Sequence, residues 1–227
     1  MYKFLFILLL TNQLWAQTPD SSNKSATVDV SVIDKKGKPL KGEAIIFRGE
    51  KTGKIFNGIT DQQGKIKQTL PPGDQYHVSV KSVTDTTKYT ILNVPALAED
   101  EFFTEPFWVK IQMEPARIFR LDHVHFDTDK ASLRPDSYPQ LTELLAYMQY
   151  HDQLRIEIAG HTDNTGTTTH NLQLSQNRAN TIRQYLISKG IPATRMQAKG
   201  YGASMPVAEN DTEEGRQLNR RTEVRVL

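Results

Sequence analysis

The chain of 227 residues has no cysteine, few long apolar runs and no large excess of either charge. Without cysteine it can form no disulfide framework, and no thiol is available to carry a lipid anchor. Beyond the amino terminus no segment is apolar enough to cross a bilayer as a helix, which takes about 20 residues. The 28 basic and 26 acidic residues leave a formal net charge of +2. Since no basic stripe with interleaved aromatics occurs either, nucleic acid is not an expected partner.

The amino terminus has the layout of a secretory signal peptide. A short basic start precedes the apolar run 4–10, and the small residue Ala16 offers a cleavage position. A buried terminal helix or strand is the alternative interpretation. We predict a signal peptide at 1–16, a flexible polar lead-in at 17–26, and a mature protein that is soluble or held at an envelope surface by what it binds.

Residues 27–114 have the pattern of short strands. Apolar and polar residues alternate in 28–32, 76–80 and 109–113, as expected of strands with one buried face. Clusters of glycine, proline, lysine and aspartate separate these runs as turns. Roughly seven short strands at this spacing predict an all-β sandwich as the amino-terminal domain.

Three segments of this half carry a resemblance. They are GKPLKGEAIIF (37–47), ITDQQGKI (59–66) and LPPGDQYHVSV (70–80). Together they resemble the carboxypeptidase-regulatory-like, prealbumin-type β-sandwich family, which implies a fold but no activity. The acidic and aromatic segment 99–107 is expected to be an edge loop that packs Phe102, Phe103 and Trp108 onto the sandwich, with a partner-binding surface as the alternative.

From residue 115 onward strands and helices alternate. This order predicts a compact α+β domain at 115–227, βαβαβ in type, with helices on a small mixed sheet. Val124 and Phe126 have the alternation of a short strand, and Ser137 with Gln140 has the spacing of a helix capping box. The remaining predicted elements are helices around 141–148 and 168–189, and strands at 154–159, 195–199 and 222–227.

The most informative segment, 160–178, crosses from a strand through a loop into the second helix. Asp163 falls in the loop, while Asn171 and Arg178 are two helical turns apart and project from nearly the same face. A carboxylate and a guanidinium that converge there suit a ligand with both an ammonium and a carboxylate group. The same spacing also fits a structural role, in which Asp163 caps the helix or forms an ion pair with Arg178.

Five short motifs follow one another through about the last hundred residues. They are FDTDK (126–130), GHTDNTG (160–166), NLQLSQNRA (171–179), KGYG (199–202) and NRR (219–221). In this order they resemble the OmpA-like C-terminal domain family, which binds peptidoglycan. The resemblance covers a little under half of the chain.

The resemblance implies a ligand, the meso-diaminopimelate of the peptidoglycan stem peptide. Asp163 would accept hydrogen bonds from its ammonium group, and Arg178 would bind its carboxylate in a bidentate way, both as charge-assisted contacts. Asp129 stands where many members have asparagine, a change that would either add a negative charge near the ammonium or mark a shift in contact. Three further residues match family positions near the pocket: Thr162, Asn171 and Arg221.

Other chemistry has little support in the sequence. His123 and His125 have metal-ligand spacing on one face of a predicted strand, and His161 or His151 could add a third nitrogen. No further ligand cluster supports such a site, so no metal is expected. No nucleophile elbow or carboxylate pair occurs, and neither catalysis nor a cofactor is expected.

We therefore expect a non-enzymatic protein of the Gram-negative periplasm, associated with the outer membrane or the cell wall. It would tether an envelope component to peptidoglycan, with an outer-membrane protein as the partner of its sandwich domain. The alternatives are an adhesin or carbohydrate-binding β-sandwich protein, and a wall-targeted hydrolase.

Overall fold

The computed structural model describes residues 24–84 and 86–227. The predicted signal peptide and most of the lead-in, 17–23, lie outside these residues. Within them, no helix is both long and apolar enough to cross a membrane.

The described part of the amino-terminal half contains seven strands in two sheets. They are β1 (Ala26–Ile33), β2 (Ala44–Gly49), β3 (Ile55–Ile59), β4 (Lys65–Leu70), β5 (Asp74–Lys81), β6 (Thr86–Val94) and β7 (Phe107–Gln112). One sheet has the order β4-β1-β7, in which β1 is antiparallel to β4 and parallel to β7. The other has the order β3-β2-β5-β6 and is antiparallel.

Side chains from both sheets meet in one apolar core. The alternating valines of β1 are buried, as are Phe47 of β2 and Tyr76 of β5. The Tyr76 hydroxyl donates to the Pro71 carbonyl at 2.8 Å, so its ring is buried without an orphaned polar group. The predicted period-two strands are thereby confirmed, and two sheets around a shared core suggest a β-sandwich.

The expected packing of the aromatic loop is only partly correct. Phe103 packs against the core and meets Phe107 edge-on, with 5.4 Å between ring centroids. Trp108 instead points outward and is 74% exposed, because its neighbour Val109 on β7 takes the inward position. The prediction that Trp108 packs onto the sandwich was wrong.

The carboxy-terminal half, which is described without gaps, is an α+β unit with a four-stranded mixed sheet. Its elements are β8 (Ile118–Arg120), α1 (Tyr138–Tyr150), β9 (Ile156–His161), α2 (Thr168–Ser188), β10 (Met196–Gly202), α3 (Glu213–Asn219) and β11 (Thr222–Val226). The strand order is β10-β9-β11-β8. β9 is parallel to β10 and antiparallel to β11, which is antiparallel to β8.

Three points of the sequence prediction for this half need correction, one of them an omission. Val124 and Phe126 lie outside the regular strands, and Phe126 makes only an isolated bridge to Leu133; the first strand is β8 instead. Helix α3 was not predicted, since seven residues give too short a pattern for helical periodicity to register.

The third correction concerns the proposed capping box at the start of α1. The Ser137 side chain makes no cap hydrogen bond. Its hydroxyl instead accepts from the His125 amide at 2.8 Å and donates to the His125 carbonyl at 2.9 Å. Gln140 likewise accepts from the His123 amide at 2.8 Å. Both side chains tie the segment before α1 to the helix, which satisfies backbone groups that no strand partner reaches.

Two glycines let α2 lie directly on the sheet. A Cβ at Gly160 of β9 would stand 2.4 Å from the Ser175 carbonyl oxygen, and one at Gly200 of β10 would stand 2.3 Å from the Gln176 amide nitrogen. No larger side chain fits such a gap. The close approach lets the Ser175 hydroxyl accept from the Gly202 amide at 2.9 Å and fixes how α2 is rotated against the sheet.

The two halves touch along α1 and its carboxy-terminal end. Val83, which follows β5, is buried in the apolar cluster of the carboxy-terminal half. Lys81 pairs with Glu143 at 2.7 Å, and Lys41 with Asp152 at 3.0 Å. The two halves that the sequence predicts on either side of residue 115 are therefore in contact through buried side chains.

Candidate functional site

The loops at one end of the mixed sheet enclose a cleft of about 710 Å³. All six residues that the sequence singled out line it: Thr162, Asp163, Asn171, Arg178, Arg221 and Asp129. They come from the loop after β9, from α2, from the start of β11 and from the loop before α1. The structure thus brings together residues that are up to 92 positions apart in the chain, from Asp129 to Arg221.

Asp163 stands in the wall of the cleft and is 7% exposed. One carboxylate oxygen accepts from Arg220 Nη1 at 2.7 Å, and the other accepts from the Thr165 amide at 2.8 Å. Burial alone would raise the pKa of the Asp163 carboxyl. The hydrogen bonds from Arg220 and Thr165 outweigh burial and hold the pKa below its ordinary value. Asp163 is therefore a carboxylate at neutral pH.

Arg178 is positioned by backbone carbonyls of the loop before α1. Its Nε donates to the Lys130 oxygen at 2.9 Å and its Nη2 to the Asp127 oxygen at 3.4 Å. The guanidinium lies over the Phe126 ring, 5.1 Å from the centroid, at cation–π distance. Burial lowers the pKa of Arg178, and the nearby carboxylates of Asp129 and Asp163 oppose that change. An arginine stays charged under these conditions.

Thr162 and Asn171 shape the loop that carries Asp163. The Thr162 hydroxyl donates to the Asp163 carbonyl at 2.9 Å. Asn171 Nδ2 donates to the Asp163 and Thr165 carbonyls at 3.3 and 2.9 Å. Both residues are buried, so their side chains fix the loop backbone and with it the direction of the Asp163 carboxylate.

Arg221 belongs to a buried charge network behind the cleft. Its Nε lies 2.7 Å from Glu223 Oε1, and its Nη2 donates to the Met205 carbonyl at 3.2 Å. Glu223 also pairs with Arg225 at 2.8 Å. Since the Arg221 side chain is nearly fully buried and its donors are engaged, its role here is to hold the start of β11 in place.

Asp129 forms the rim of the cleft together with a residue that the sequence did not suggest. One Asp129 carboxylate oxygen lies 2.6 Å from His170 Nε2, in the first turn of α2. Asp129 has a left-handed backbone, with φ of 57°, which aspartate tolerates better than most residues. Both side chains are largely exposed, so this contact connects the loop before α1 to α2 across the opening.

The two structural roles considered for Asp163 are not found. The helix cap of α2 is Thr167, whose side chain accepts from the His170 amide. The ion-pair partner of Asp163 is Arg220, not Arg178. Arg220 was missed although it lies in the NRR motif, because only the neighbouring Arg221 was assigned to the pocket. Its contact with Asp163 spans 57 positions, which no local pattern shows.

The hydrogen-bonding capacity left over at the two charged groups defines the chemistry of the cleft. An ionised carboxylate has about four acceptor sites, and two of those on Asp163 are in use. A guanidinium has five N–H donors, of which Arg178 uses two on backbone carbonyls. Asp163 can therefore still accept hydrogen bonds from a cationic donor, and Arg178 can still donate to an anion, in the same cleft.

The histidines considered as metal ligands have other neighbours. His125 Nδ1 lies 3.1 Å from Asp136 Oδ2. His161 is buried and stacks on Tyr201, with ring centroids 5.2 Å apart. The described residues contain no group of three or more side chains arranged to hold a metal ion.

Comparison with known proteins gives a family match in the half that carries the cleft. Residues 125–220 match the model of the OmpA family, so this segment is similar to OmpA-like domains. The match contains the loop before α1, the loop after β9, α2 and Arg220. The carboxypeptidase-regulatory-like assignment of the amino-terminal half stays a prediction.

Named relatives are similar over the same half. Over 112 residues, 49% of the chain, it is 42% identical to outer membrane porin F of Pseudomonas fluorescens and spans 34% of that protein. Over 100 residues, 44% of the chain, it is 38% identical to the peptidoglycan-associated lipoprotein of Brucella melitensis and spans 60% of it. A solved structure of the peptidoglycan-associated lipoprotein from Burkholderia pseudomallei is 32% identical, with a TM-score of 0.44 and coverage of 49% of this chain and 91% of that one.

Proposed function

We propose that this protein binds peptidoglycan non-covalently and tethers an envelope component to the cell wall. The ligand group is the meso-diaminopimelate side chain of the stem peptide. The observation that carries the proposal is the cleft itself, in which the Asp163 carboxylate and the Arg178 guanidinium both keep unused hydrogen-bonding capacity. Similarity to a protein named peptidoglycan-associated lipoprotein supports the same conclusion.

The chemistry of the two groups matches the ligand. The free end of meso-diaminopimelate carries an ammonium and a carboxylate on one carbon. Asp163 accepts from the ammonium, while the remaining N–H groups of Arg178 bind the carboxylate. Charge-assisted hydrogen bonds of this kind are roughly twice as strong as neutral ones. Arg220 stays on Asp163 and orients it, so that the ligand meets a fixed carboxylate.

The same contacts provide selectivity between wall types. A stem peptide with lysine has the ammonium but lacks the carboxylate. Binding it would leave the partly buried Arg178 guanidinium without an anionic partner, a cost that disfavours the wrong ligand. The exposed pair of Asp129 and His170 at the rim borders the ligand but lies outside these two contacts.

The rest of the chain provides the other end of the tether. We propose that the two amino-terminal sheets form a carboxypeptidase-regulatory-like β-sandwich that holds an outer-membrane protein. The signal peptide predicted at 1–16 would direct the chain to the periplasm of a Gram-negative cell. No step in this function requires catalysis or a cofactor.

Sedimentation with purified sacculi tests the proposal. The wild-type protein is expected to pellet with sacculi, and Asp163→Ala and Arg178→Ala are expected to stay in the supernatant. Removing one partner of such a partly buried charged contact costs about 2–5 kcal/mol. Arg183→Gln is the matched control, because Arg183 lies on the same helix but binds the Met196 and Ala193 carbonyls.

Circular dichroism of each variant shows whether the fold is retained. Equal sedimentation of the folded Asp163 and Arg178 variants and the wild type would contradict the assigned cleft. Release of soluble wall fragments would indicate the hydrolase instead, and failure of the wild type to sediment would leave the adhesin or carbohydrate-binding alternative.

A further inference from the structure

The outward face of the sheet β4-β1-β7 carries one large aromatic ring among lysines. β7 directs Val109 and Ile111 into the core, so that Trp108 and Lys110 face outward. Among the described residues, the exposed indole ring has no aromatic or cationic partner in contact. A single exposed apolar side chain is common on protein surfaces and does not by itself indicate a binding site. The residues around Trp108 therefore have to be considered with it.

Strand register places basic groups beside the ring. Asp29 of β1 lies opposite Trp108 on one side and Lys67 of β4 on the other. The Lys67 ammonium is 3.7 Å from the Asp29 carboxylate and is 70% exposed. Adjacent strands lie about 4.8 Å apart, so the lysine and tryptophan backbones are roughly 10 Å apart across the sheet.

The next row of the same face repeats the pattern. Ser31 of β1 lies between Lys65 of β4 and Lys110 of β7. Both of these lysines are exposed. The two rows together, called here the lysine–tryptophan face, consist of Lys65, Lys67, Lys110, Asp29, Ser31 and Trp108. Three ammonium groups against one carboxylate leave this face positively charged.

This composition disfavours a protein partner. Protein interfaces are depleted of lysine, aspartate and serine and have an apolar centre. Here the only large apolar group is one ring. A sugar differs, because the C–H groups of a pyranose pack against the electron-rich face of an indole, while its polar substituents can bond to the surrounding ammonium and hydroxyl groups. The positive balance then selects sugars that carry carboxylates.

We propose that the lysine–tryptophan face binds an anionic polysaccharide, with one sugar ring on Trp108 and carboxylates on Lys65, Lys67 and Lys110. The site lies on the amino-terminal half and uses none of the residues of the cleft. The proposed polysaccharide site therefore does not depend on peptidoglycan binding.

Tryptophan fluorescence gives a direct readout. The chain has two tryptophans, Trp15 and Trp108. Because Trp15 lies in the predicted signal peptide, the mature protein that begins after Ala16 reports Trp108 alone. Polygalacturonate is the probe, with neutral dextran and polyglutamate as matched polymers. Polygalacturonate is expected to shift the emission and to saturate. Dextran is expected to leave it unchanged, and polyglutamate to bind roughly tenfold more weakly, because it offers charge without a ring to stack.

Variants separate stacking from charge. By titration calorimetry with polygalacturonate, Trp108→Ala and the double variant Lys67→Gln/Lys110→Gln are each expected to bind roughly tenfold more weakly. The double variant Lys54→Gln/Lys88→Gln removes the same charge from exposed lysines elsewhere and should bind as the wild type does.

Several results would overturn the proposal: no binding of polygalacturonate, equal binding of polyglutamate, an unchanged Trp108→Ala, or an equal loss in the control double variant. Tighter binding of oligothymidylate than of polygalacturonate would overturn it too, since that result would indicate a nucleic-acid surface.

Discussion

At the scale of single residues, Asp163 shows how a carboxylate stays charged although it is buried. Desolvation acts to raise its pKa, and two hydrogen bonds more than offset that effect. Arg220 provides the charged one, at 2.7 Å. Arg220 is therefore a positioning residue, which acts on a ligand through Asp163.

Arg220→Gln is expected to raise the pKa of Asp163. The substitution removes the guanidinium while burial remains, so the opposing effect of desolvation is no longer compensated. The pKa is measured from the Asp163 side-chain carbon resonance in a pH titration by NMR. Arg216→Gln is the control, because Arg216 also lines the cleft but pairs with Glu213. An Asp163 pKa that is the same in Arg220→Gln and in the wild type would contradict this account.

At the scale of elements, the position of α2 against β9 and β10 determines where Asn171 and Arg178 stand. Gly160 and Gly200 permit this position by having no side chain where Ser175 and Gln176 approach. The KGYG motif that contributed to the family resemblance thus has a packing explanation.

Gly200→Ala is expected to destabilise the fold by about 1–3 kcal/mol, the usual cost of forcing extra atoms into a packed contact. The added Cβ meets the α2 backbone, which cannot rotate away as a side chain can. Urea unfolding measures the change. Gln197→Ala, on an exposed position of the same strand, should stay within about 0.5 kcal/mol of the wild type. Equal stability of Gly200→Ala and the wild type would show that α2 lies further from the sheet.

The sequence predicted the elements in which apolar residues recur at a regular spacing over many positions. β1, with four buried apolar residues in alternation, and α2, with twenty-one residues, were located within a few positions. The predictions that failed concerned side chains whose partners are distant in the sequence. Ser137 and Gln140 have capping-box spacing, but their side chains found backbone partners before α1, which local pattern cannot reveal.

The same limit applies to the cleft. Asp163 and Arg178 were placed from a motif and from helical spacing, which put both at one strand–loop–helix junction. Arg220 and His170 became visible only when the loops came together, because their contacts span 57 and 41 positions. Their residue types alone gave no reason to choose them over neighbouring arginines and histidines.

At the scale of the whole molecule, buried side chains connect the two halves. Val83 is 1% exposed among apolar residues of the carboxy-terminal half. Glu43 is buried near Tyr147 of α1, whose pKa is raised by burial and further by the Glu43 carboxylate. A load on the amino-terminal half would therefore pass into α1 through packed side chains.

Val83→Ala is expected to lower the stability of the carboxy-terminal half by about 1–3 kcal/mol, since it removes buried methyl groups and leaves a cavity. Hydrogen exchange in β9 and α2 measures this effect, because those elements lie in the cluster that Val83 joins. The exposed Thr84→Ala serves as the neighbouring control. Unchanged exchange in β9 and α2 would mean that the halves are energetically independent.

Glu43 predicts a dependence of stability on pH. Burial raises its pKa from an ordinary 4.5 to about 7. Between these two pH values the folded state thus holds a proton that the unfolded state releases. The stabilisation of the folded state by this proton is complete below about pH 4.5 and is lost as pH rises through 7. His151 acts in the opposite direction, since burial lowers its pKa to about 4.

Glu43→Gln isolates the effect, because His151 is present in both proteins. Relative to the wild type, the variant should gain up to roughly 3 kcal/mol of stability between pH 5 and pH 8. Urea unfolding at both pH values gives the difference. A difference between variant and wild type that is the same at pH 5 and pH 8 would show that Glu43 ionises normally.

The central claim is that Asp163 and Arg178 recognise the two charges of one diaminopimelate group. Titration calorimetry with a soluble stem peptide containing meso-diaminopimelate, and with its lysine counterpart, tests it most directly. The wild type and Arg183→Gln are predicted to prefer the diaminopimelate peptide by roughly tenfold or more. Arg178→Gln is predicted to bind both peptides about equally. Retention of the full preference by Arg178→Gln would contradict the claim.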